Sequence, residues 1–282
     1  MTVESLALAK RRAARPVPSL AKYLGVAVLS ARQRLEERAA LYGRVLFYFV
    51  VLLIFTRLWE AVLGSGTPAA GVGPQQNAAS YVWYLAITEW IMLSQPTLHL
   101  DIEADVRNGD VAYHLARPMS YAGAKLAEAL GDMAVRWVVL GVSGVLFARL
   151  SCGQWPSAAG LGLAGLVGCL SSVVLLLSYA AIGLCAFWIH DCTSVYLIWQ
   201  KLCFALGGLM VPLSIYPGWL RQIALHSPFA ALLYGPGQLV MAPDWSLALG
   251  WASALLAWGT SFLLVVLWLE HRGRKTLTLH GG

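Results

Sequence analysis

Residues 45–63 read VLFYFVVLLIFTRLWEAVL, an almost unbroken apolar run in which Arg57 and Glu60 are the only charged residues. As an α-helix this run is roughly 28 Å long, close to the bilayer's hydrocarbon core of about 30 Å. The run is therefore typical of a helix that crosses a membrane.

Comparable runs recur along the chain, and the composition agrees with them. Of the 282 residues, 59% are hydrophobic and only 12% are charged, whereas soluble domains carry about 25% charged residues. A soluble globular protein is therefore excluded. The sequence predicts an all-α membrane protein with six transmembrane helices, at residues 45–63, 78–98, 128–150, 158–189, 195–216 and 245–269.

Two segments do not fit a simple six-helix pattern. The run 158–189 would be roughly 48 Å long as a straight helix, so it must tilt, break or extend beyond the membrane. Residues 217–244 are also largely apolar, but Pro228 and Pro236 interrupt them. We expect this segment to form a re-entrant pair of short outer helices between spans five and six, because a seventh span would place the basic C-terminal residues outside.

The positive charges indicate the orientation of the chain. With six spans, 15 Lys and Arg residues fall on the side of the two termini and only 2 on the opposite side. Because Lys and Arg accumulate on the cytoplasmic side, we expect a cytoplasmic N-terminal tail over 1–18 and a cytoplasmic C-terminal tail over 270–282. This topology accounts for the net charge of +6, so no nucleic-acid partner is predicted.

Residues 19–44 predict an amphipathic helix ahead of the first span. Apolar and basic side chains alternate there with helical spacing, which favours a helix lying in the membrane interface in contact with lipid headgroups. A plain cytosolic helix is the alternative. The apolar positions are Leu20, Leu24, Val28, Leu35 and Ala39, and the basic positions are Lys22, Arg32, Arg34 and Arg38.

Few residues suggest catalysis or metal binding. His190, Asp191 and Cys192 are adjacent, and one adjacent triplet cannot direct three side chains at the same ion, so we predict no metal site. The sequence contains no phosphate-binding loop and no cofactor is expected on this chain. An intramembrane enzyme acting on lipid is the alternative function, favoured only by His190, Asp191 and the acids within the spans.

Two charges lie deep within the predicted spans. Glu89 is nine residues from the inner end of the second span, and Lys201 is six residues beyond the start of the fifth. A charge near mid-bilayer costs about 2.5–3.5 kcal/mol on insertion scales, so such residues need a partner or an aqueous path. We expect Glu89 and Lys201 either to form a buried ion pair or to line a transport path.

The segment between the second and third spans has a distinctive pattern. Residues 101–118 read DIEADVRNGDVAYHLARP, in which acids alternate with Arg107 and Arg117, and Asn108-Gly109 predicts a turn. A short amphipathic piece with Val111, Ala112 and Leu115 follows. Such a combination of charge and an apolar stripe favours a short helix that docks against a cytosolic protein.

At this segment the sequence resembles the type 2 ABC exporter permeases. In one branch of that family the loop after the second span has a similar motif, and the fifth span leads into re-entrant outer helices much as Gly207–Leu213 and Tyr216-Pro217 do here. The matching loop residues are Asp105, Val106, Arg107, Gly109, Val111, Ala112, Leu115, Arg117 and Pro118.

The resemblance implies a mechanism. In this family two permease chains, identical or homologous, pair through their first and fifth spans. Separate cytosolic ATPase chains, which bind ATP and magnesium, dock below them. The chain would then be a non-catalytic exporter subunit of a bacterial inner membrane. Its expected coupling residues are Asp105, Arg107, Gly109, Asp110, Leu115, Arg117 and Pro118.

Overall fold

The computed structural model describes residues 20–64, 78–115, 119–189 and 191–280. Regular structure in these ranges is helical, and none of the residues that they cover forms a β-strand. The α-helices are α1 Leu20–Glu36, α2 Arg38–Gly64, α3 Ala78–Leu93, α4 Leu98–Asn108, α5 Val111–Leu115, α6 Tyr121–Cys152, α7 Ala158–Leu184, α8 Ala186–Ile189, α9 Thr193–Leu206, α10 Gly218–Leu225, α11 Gly235–Met241 and α12 Trp245–His280.

Four of the described helical stretches are long and apolar enough to cross a membrane: Arg38–Val62, Tyr121–Cys152, Ala158–Ile189 and Trp245–Lys275. Their outward faces carry many exposed Leu, Val and Trp side chains. The protein is therefore a membrane protein with several apolar helices. These four stretches coincide with the first, third, fourth and sixth predicted spans.

The second and fifth predicted spans are shorter as helices than the sequence indicated. Helix α3 ends at Leu93, before Pro96, and α4 begins at Leu98, so the run 78–98 is not one helix. Helix α9 ends at Leu206, where Gly208 adopts φ +68°, and 195–216 is likewise interrupted. Proline disfavours helical geometry in the residue before it, and a left-handed glycine ends a helix, so both breaks have a local cause.

The third and fourth predicted spans differ in their ends. Helix α6 begins at Tyr121 because the Ser120 hydroxyl accepts a hydrogen bond from the Gly123 N–H, and it ends where Gly153 adopts φ +66°. The long run 158–189 breaks at Cys185, which separates α7 from the single turn of α8. A break of the fourth span was one of the expected outcomes.

The first and last helices of the chain also have boundaries that differ from the predicted ones. Residues 19–44 do not form one helix, because α1 ends at Glu36 and α2 already begins at Arg38. At the other end, α12 continues to His280, so the segment after 269 begins as a helix. The first and last long helices are therefore both longer than the apolar runs that predicted them.

Helix α7 lies at the centre of the fold, where it packs against α4, α11 and α12. A Cβ at Gly183 would lie 3.0 Å from the Cα of His99, so α4 approaches α7 closely. Helix α1 packs on α6 in the same way, since a Cβ at Gly131 would lie 2.0 Å from the carbonyl oxygen of Ala27. A side chain at Gly131 would therefore collide with the backbone of α1, and one at Gly183 would be tightly packed against α4.

The segment after α9 folds back onto the core. A 3₁₀ turn at Leu213–Ile215, helix α10, a π-helical turn at Ala230–Tyr234 and helix α11 follow one another. Residues 229–237 are all buried. The Tyr84 hydroxyl donates to the Gly208 carbonyl oxygen, and Thr88 Oγ1 donates to the Leu209 carbonyl oxygen at 2.8 Å. These bonds fasten the segment to α3.

Candidate functional site

The segment expected to dock forms two helices, α4 before Gly109 and α5 after it. Gly109 has φ +79° and its N–H donates to the Val106 carbonyl oxygen at 3.3 Å, so it ends α4 in a left-handed conformation. Only glycine adopts this geometry without strain. The predicted turn at Asn108-Gly109 is therefore confirmed. The sequence analysis placed the residues after 98 in a loop, whereas residues 98–108 form helix α4.

Asp105 fastens α4 to the first turns of α6. Its carboxylate accepts a hydrogen bond from the Tyr121 hydroxyl at 2.9 Å and lies 2.8 Å from the Lys125 ammonium. The His114 imidazole of α5 lies 3.9 Å from the same carboxylate. One motif residue thus joins α4, α5 and α6.

Glu103, which the sequence analysis missed, connects α4 to α9. Its carboxylate is 6% exposed and accepts a hydrogen bond from the Cys192 N–H at 3.0 Å, at the N-terminus of α9. A carboxylate there both satisfies a free N–H and complements the helix dipole. Its sequence signal was its position four residues before Arg107, which becomes meaningful only if residues 98–108 are helical.

Of the remaining coupling residues, two face outward and three lie wholly or partly outside the described residues, whereas Val111 of the motif is buried. Arg107 is 66% exposed in its side chain and lies 3.8 Å from Glu103. Asp110 is exposed. Arg117 and Pro118, and the side chain of Leu115, fall outside what the structure describes, so their assignment to the coupling segment stays a prediction.

A buried charge network holds α1 against α6. The Asp132 carboxylate accepts hydrogen bonds from Arg136 at 2.7 Å and 2.7 Å, and from Arg34 at 2.5 Å and 3.0 Å. Two guanidinium groups therefore share one carboxylate. Arg136 lies one turn after Asp132 on α6, and Arg34 comes from α1.

Helix α12 is tied to the same end of the bundle. Glu270, buried in the described structure, accepts from the Ser120 hydroxyl at 3.2 Å and from the Ala122 N–H at 3.3 Å, and it pairs with Arg274 at 2.5 Å. Its carboxylate thus lies at the N-terminus of α6, as that of Glu103 does at α9. We call this region, where α1, α4, α6, α9 and α12 are joined by charges, the charged end.

Two arginines hold the break between α3 and α4. Arg44 of α2 donates to the carbonyl oxygens of Leu93 at 2.6 Å and Gln95 at 3.2 Å, and Arg136 donates to that of Gln95 at 2.9 Å. The last carbonyls of a helix lack partners within it and carry partial negative charge. The guanidinium groups supply both the donors and the charge.

A cavity of about 610 Å³ lies between α2 and α9, against α3 and α7. Apolar and aromatic side chains form most of its wall, and a few polar side chains lie among them. The polar members are Arg44, Glu89, Gln95, Thr97, His99, Tyr179, Tyr196 and Gln200. A cavity of this size lies within the range of about 300–1,000 Å³ that holds drug-sized ligands.

Glu89 and Lys201 are not brought together within the chain. Glu89 lines the cavity and is 5% exposed. Lys201 is exposed, and its ammonium lies 5.2 Å from the ring centroid of Phe204. Among the ion pairs of the described residues none joins the two, because Lys201 points to the outer surface of α9.

His99 forms an aromatic stack in the wall of the cavity. Its ring lies 3.7 Å from that of Tyr196 at an interplanar angle of 15°, and 5.6 Å from that of Tyr179. Burial lowers the pKa of His99 to about 4, so the imidazole is neutral at neutral pH. Its Nδ1 atom has no hydrogen-bond partner within the described part of the chain.

The residues after α8 have a structural role. Asp191 accepts a hydrogen bond from the Thr193 N–H at 2.8 Å, and this bond holds the pKa of its carboxyl below the usual range. His190 lies outside the described residues. Within the described ranges, no group of three or more His, Cys, Asp or Glu side chains could hold a metal ion.

A comparison with known proteins identifies the family of this chain. A family model described as "ABC-2 family transporter protein" matches residues 76–272. The match therefore includes the helix pair at Gly109, the cavity wall from α3 onward and the charged end except for α1 and the part of α12 beyond residue 272. None of the curated proteins matches the chain.

Proposed function

Because this chain belongs to the ABC-2 transporter family and is a membrane permease of that family, we propose that it is the membrane subunit of an ATP-driven exporter. It moves its substrate out of the cytoplasm, and a separate ATPase chain supplies the energy. ATP and magnesium bind to that partner chain. The observation that carries the proposal is that α4, which ends beside the exposed Arg107 and Asp110, is bonded to α6 and α9 and packs on α7.

The proposed topology has six crossings with both termini in the cytoplasm of a bacterial inner membrane. Helices α2, α6, α7 and α12 are long enough to cross alone. Helix α3, with 16 residues, and helix α9, with 14 residues, complete the set together with the residues that adjoin them. Helices α10 and α11 form the re-entrant outer segment. The 15-to-2 distribution of Lys and Arg supports this orientation.

Helices α4 and α5 supply the surface to which the ATPase docks. Arg107 is exposed, and Tyr113 of α5 is 76% exposed, so a cation and a large aromatic ring are both available to a partner. Such side chains are typical anchors at protein interfaces. The left-handed turn at Gly109 sets the angle between the two helices.

The same helix pair can transmit a movement of the ATPase into the membrane. Asp105 fixes α4 to α6, and Glu103 fixes it to the start of α9. Arg44 and Arg136 hold the preceding break to α2 and α6. A displacement of α4 therefore pulls on helices that line the cavity, since each of these contacts is a short charge-assisted bond.

A second permease chain pairs with this one through α2 and α9. Both helices expose apolar side chains, and α9 has few contacts with the rest of the bundle. Pairing of the two chains would cover these faces. The exposed apolar residues are Leu46, Phe47, Val50, Leu53, Ile54 and Leu58 on α2, and Val195, Leu197, Ile198 and Leu202 on α9.

Helix α1 lies in the membrane interface. Leu20, Leu24 and Val28 are more than half exposed, whereas Ser30 is buried on the opposite side against α6. One face of α1 thus packs on protein and another presents apolar side chains for lipid. Basic residues beside the apolar face, such as Lys22 and Arg32, suit anionic headgroups.

The test is association with the ATPase. We expect Gly109→Val to weaken the binding of the ATPase to purified permease and to reduce ATP-driven transport in proteoliposomes, because valine at φ +79° is strained by about 1–2 kcal/mol and the turn must rearrange. Gly162→Val is the matched control, since a Cβ at Gly162 meets no atom within 4 Å.

Insertion of both variants into the membrane is checked by yield and by size-exclusion profile. Full ATPase binding and full transport by a well-folded Gly109→Val protein would contradict the assignment of α4–α5 as the docking element.

A further inference from the structure

The cavity between α2 and α9 contains the carboxylate of Glu89, which pairs with no other group of the described residues. Glu89 is 5% exposed, and no hydrogen-bond donor or cation among the described residues contacts its carboxylate. An unpaired buried charge is costly, and the cost is greatest within a membrane. The three other buried carboxylates in the described part of the chain, Glu103, Asp132 and Glu270, all have partners. Glu89 therefore differs from them in having an unoccupied acceptor.

Arg44 is the one arginine among the described residues that lines the cavity, and it is already engaged. The Arg44 guanidinium donates to the carbonyl oxygens of Leu93 and Gln95 at the end of α3. These carbonyls lie four to six residues beyond Glu89, roughly 6–9 Å along a helix. Arg44 is thus engaged at the end of α3, and the Glu89 carboxyl group lies about one to two turns earlier on the same helix.

Aromatic rings in the wall also favour a cation as ligand. The rings of Phe47 and Phe55 line the cavity. Aromatic faces attract organic cations, most strongly where water is excluded.

We propose that this cavity binds an amphipathic organic cation, whose charged group pairs with Glu89 and whose apolar body lies against the aromatic wall. The inference rests on the proposed function, because such a cation would be the exported substrate. It assigns a substrate class from three properties of one cavity: its volume of about 610 Å³, its aromatic lining and the unpaired carboxylate of Glu89.

The direct test uses two probes of the same shape and opposite charge, tetraphenylphosphonium and tetraphenylborate. Binding of each is measured by equilibrium dialysis on the full chain in nanodiscs of zwitterionic lipid, with empty nanodiscs as the correction for partitioning. We expect the wild-type chain to bind the phosphonium at least tenfold more tightly than the borate. Glu89→Gln should abolish this preference.

Glu60→Gln is the matched control. The substitution is the same, but Glu60 is an exposed acid that pairs with Arg57 at 3.1 Å and lies outside the cavity. It should retain the tenfold preference. A second variant, Val51→Phe, narrows the cavity without changing its charge and should weaken binding of the phosphonium, so the test does not depend on the folding of Glu89→Gln alone.

Two results would overturn the inference: equal binding of the two ions by the wild-type chain, or unchanged phosphonium binding in both Glu89→Gln and Val51→Phe. No ATPase is present in this measurement, so its failure is separable from failure of the proposed function. Loss of the charge preference with intact ATPase association would remove only the substrate class. A charge preference without ATPase association would contradict only the exporter assignment.

Discussion

The buried carboxylates at the charged end of the bundle have partners, whereas the buried carboxylate in the cavity beside it has none among the described residues. At the charged end, Asp132 has two arginine partners, and Glu103 and Glu270 each lie at a helix N-terminus. In the cavity, Glu89 has no partner in the described chain. A buried charge that is satisfied within the protein holds helices together, whereas one that is left open is available to something that enters.

The charged end and the cavity should also differ in how they move. The charged end joins helices α1, α4, α6, α9 and α12 through bonds that need close geometry, so it should move as a unit. The cavity is walled by α2 and α9, which have exposed apolar faces and, for α9, few contacts. Movement of the unit relative to α2 would change the shape of the cavity.

The largest effect that we expect comes from breaking the network at Asp132. Asp132→Asn leaves the buried Arg136 without a counter-charge and Arg34 with only Glu37 as partner, and loss of one partner of a buried pair costs about 3–5 kcal/mol. The free energy of unfolding in mixed micelles, measured by denaturant titration, should fall accordingly.

Glu60→Gln again gives the control, because an exposed pair such as Arg57–Glu60 contributes about 1 kcal/mol or less. Equal losses in the two variants would contradict the idea that the charged end depends on paired charges.

A smaller effect should appear as a pH dependence of stability from His99. Its pKa is lowered to about 4 by burial, whereas an unfolded His has a pKa of about 6.5. Between these values the unfolded chain binds a proton that the folded chain does not, so the free energy of unfolding falls as the pH falls from 6.5 to 4. The loss should be about 1–3 kcal/mol across this window.

His99→Phe keeps a ring for the stack on Tyr196 and should flatten this part of the pH profile. The other ionisable groups around the ring are Tyr179 and Tyr196, in contact with it, and Arg44 and Glu89, which line the same cavity. His226→Phe removes an exposed imidazole and is the control. An unchanged slope in His99→Phe would show that another group titrates.

The general architecture was accessible from the sequence because hydropathy alone determines where long helices form. The apolar runs beginning at Val45 and Ala158 correspond to helices in the structure, and the Gly109 turn follows from an Asn-Gly pair. The boundaries were less accessible. The breaks after Leu93 and Leu206 lie within apolar runs, where hydropathy does not change.

The candidate site was only partly predictable, because its connections are made across the fold. Asp105 was identified from its motif, but its partners Tyr121 and Lys125 lie on another helix. Glu103 was missed because its partner is a backbone N–H at Cys192. The pairing of Glu89 with Lys201 rested on equal depth, and depth does not determine which way a side chain points around its helix.

The smallest change in stability is expected at Glu103, and it gives the most direct test of the central claim that α4 transmits ATPase movement to α9. Glu103→Met keeps the length of the side chain but removes the acceptor at the N-terminus of α9, which costs about 1–2 kcal/mol. Glu36→Met, at an exposed acid of α1, is the matched control. ATP hydrolysis and transport are measured in the same proteoliposomes containing permease and ATPase. We predict that Glu103→Met hydrolyses ATP but loses most of its transport per ATP hydrolysed, while Glu36→Met behaves as the wild type. An unchanged ratio of transport to hydrolysis in Glu103→Met would contradict the claim.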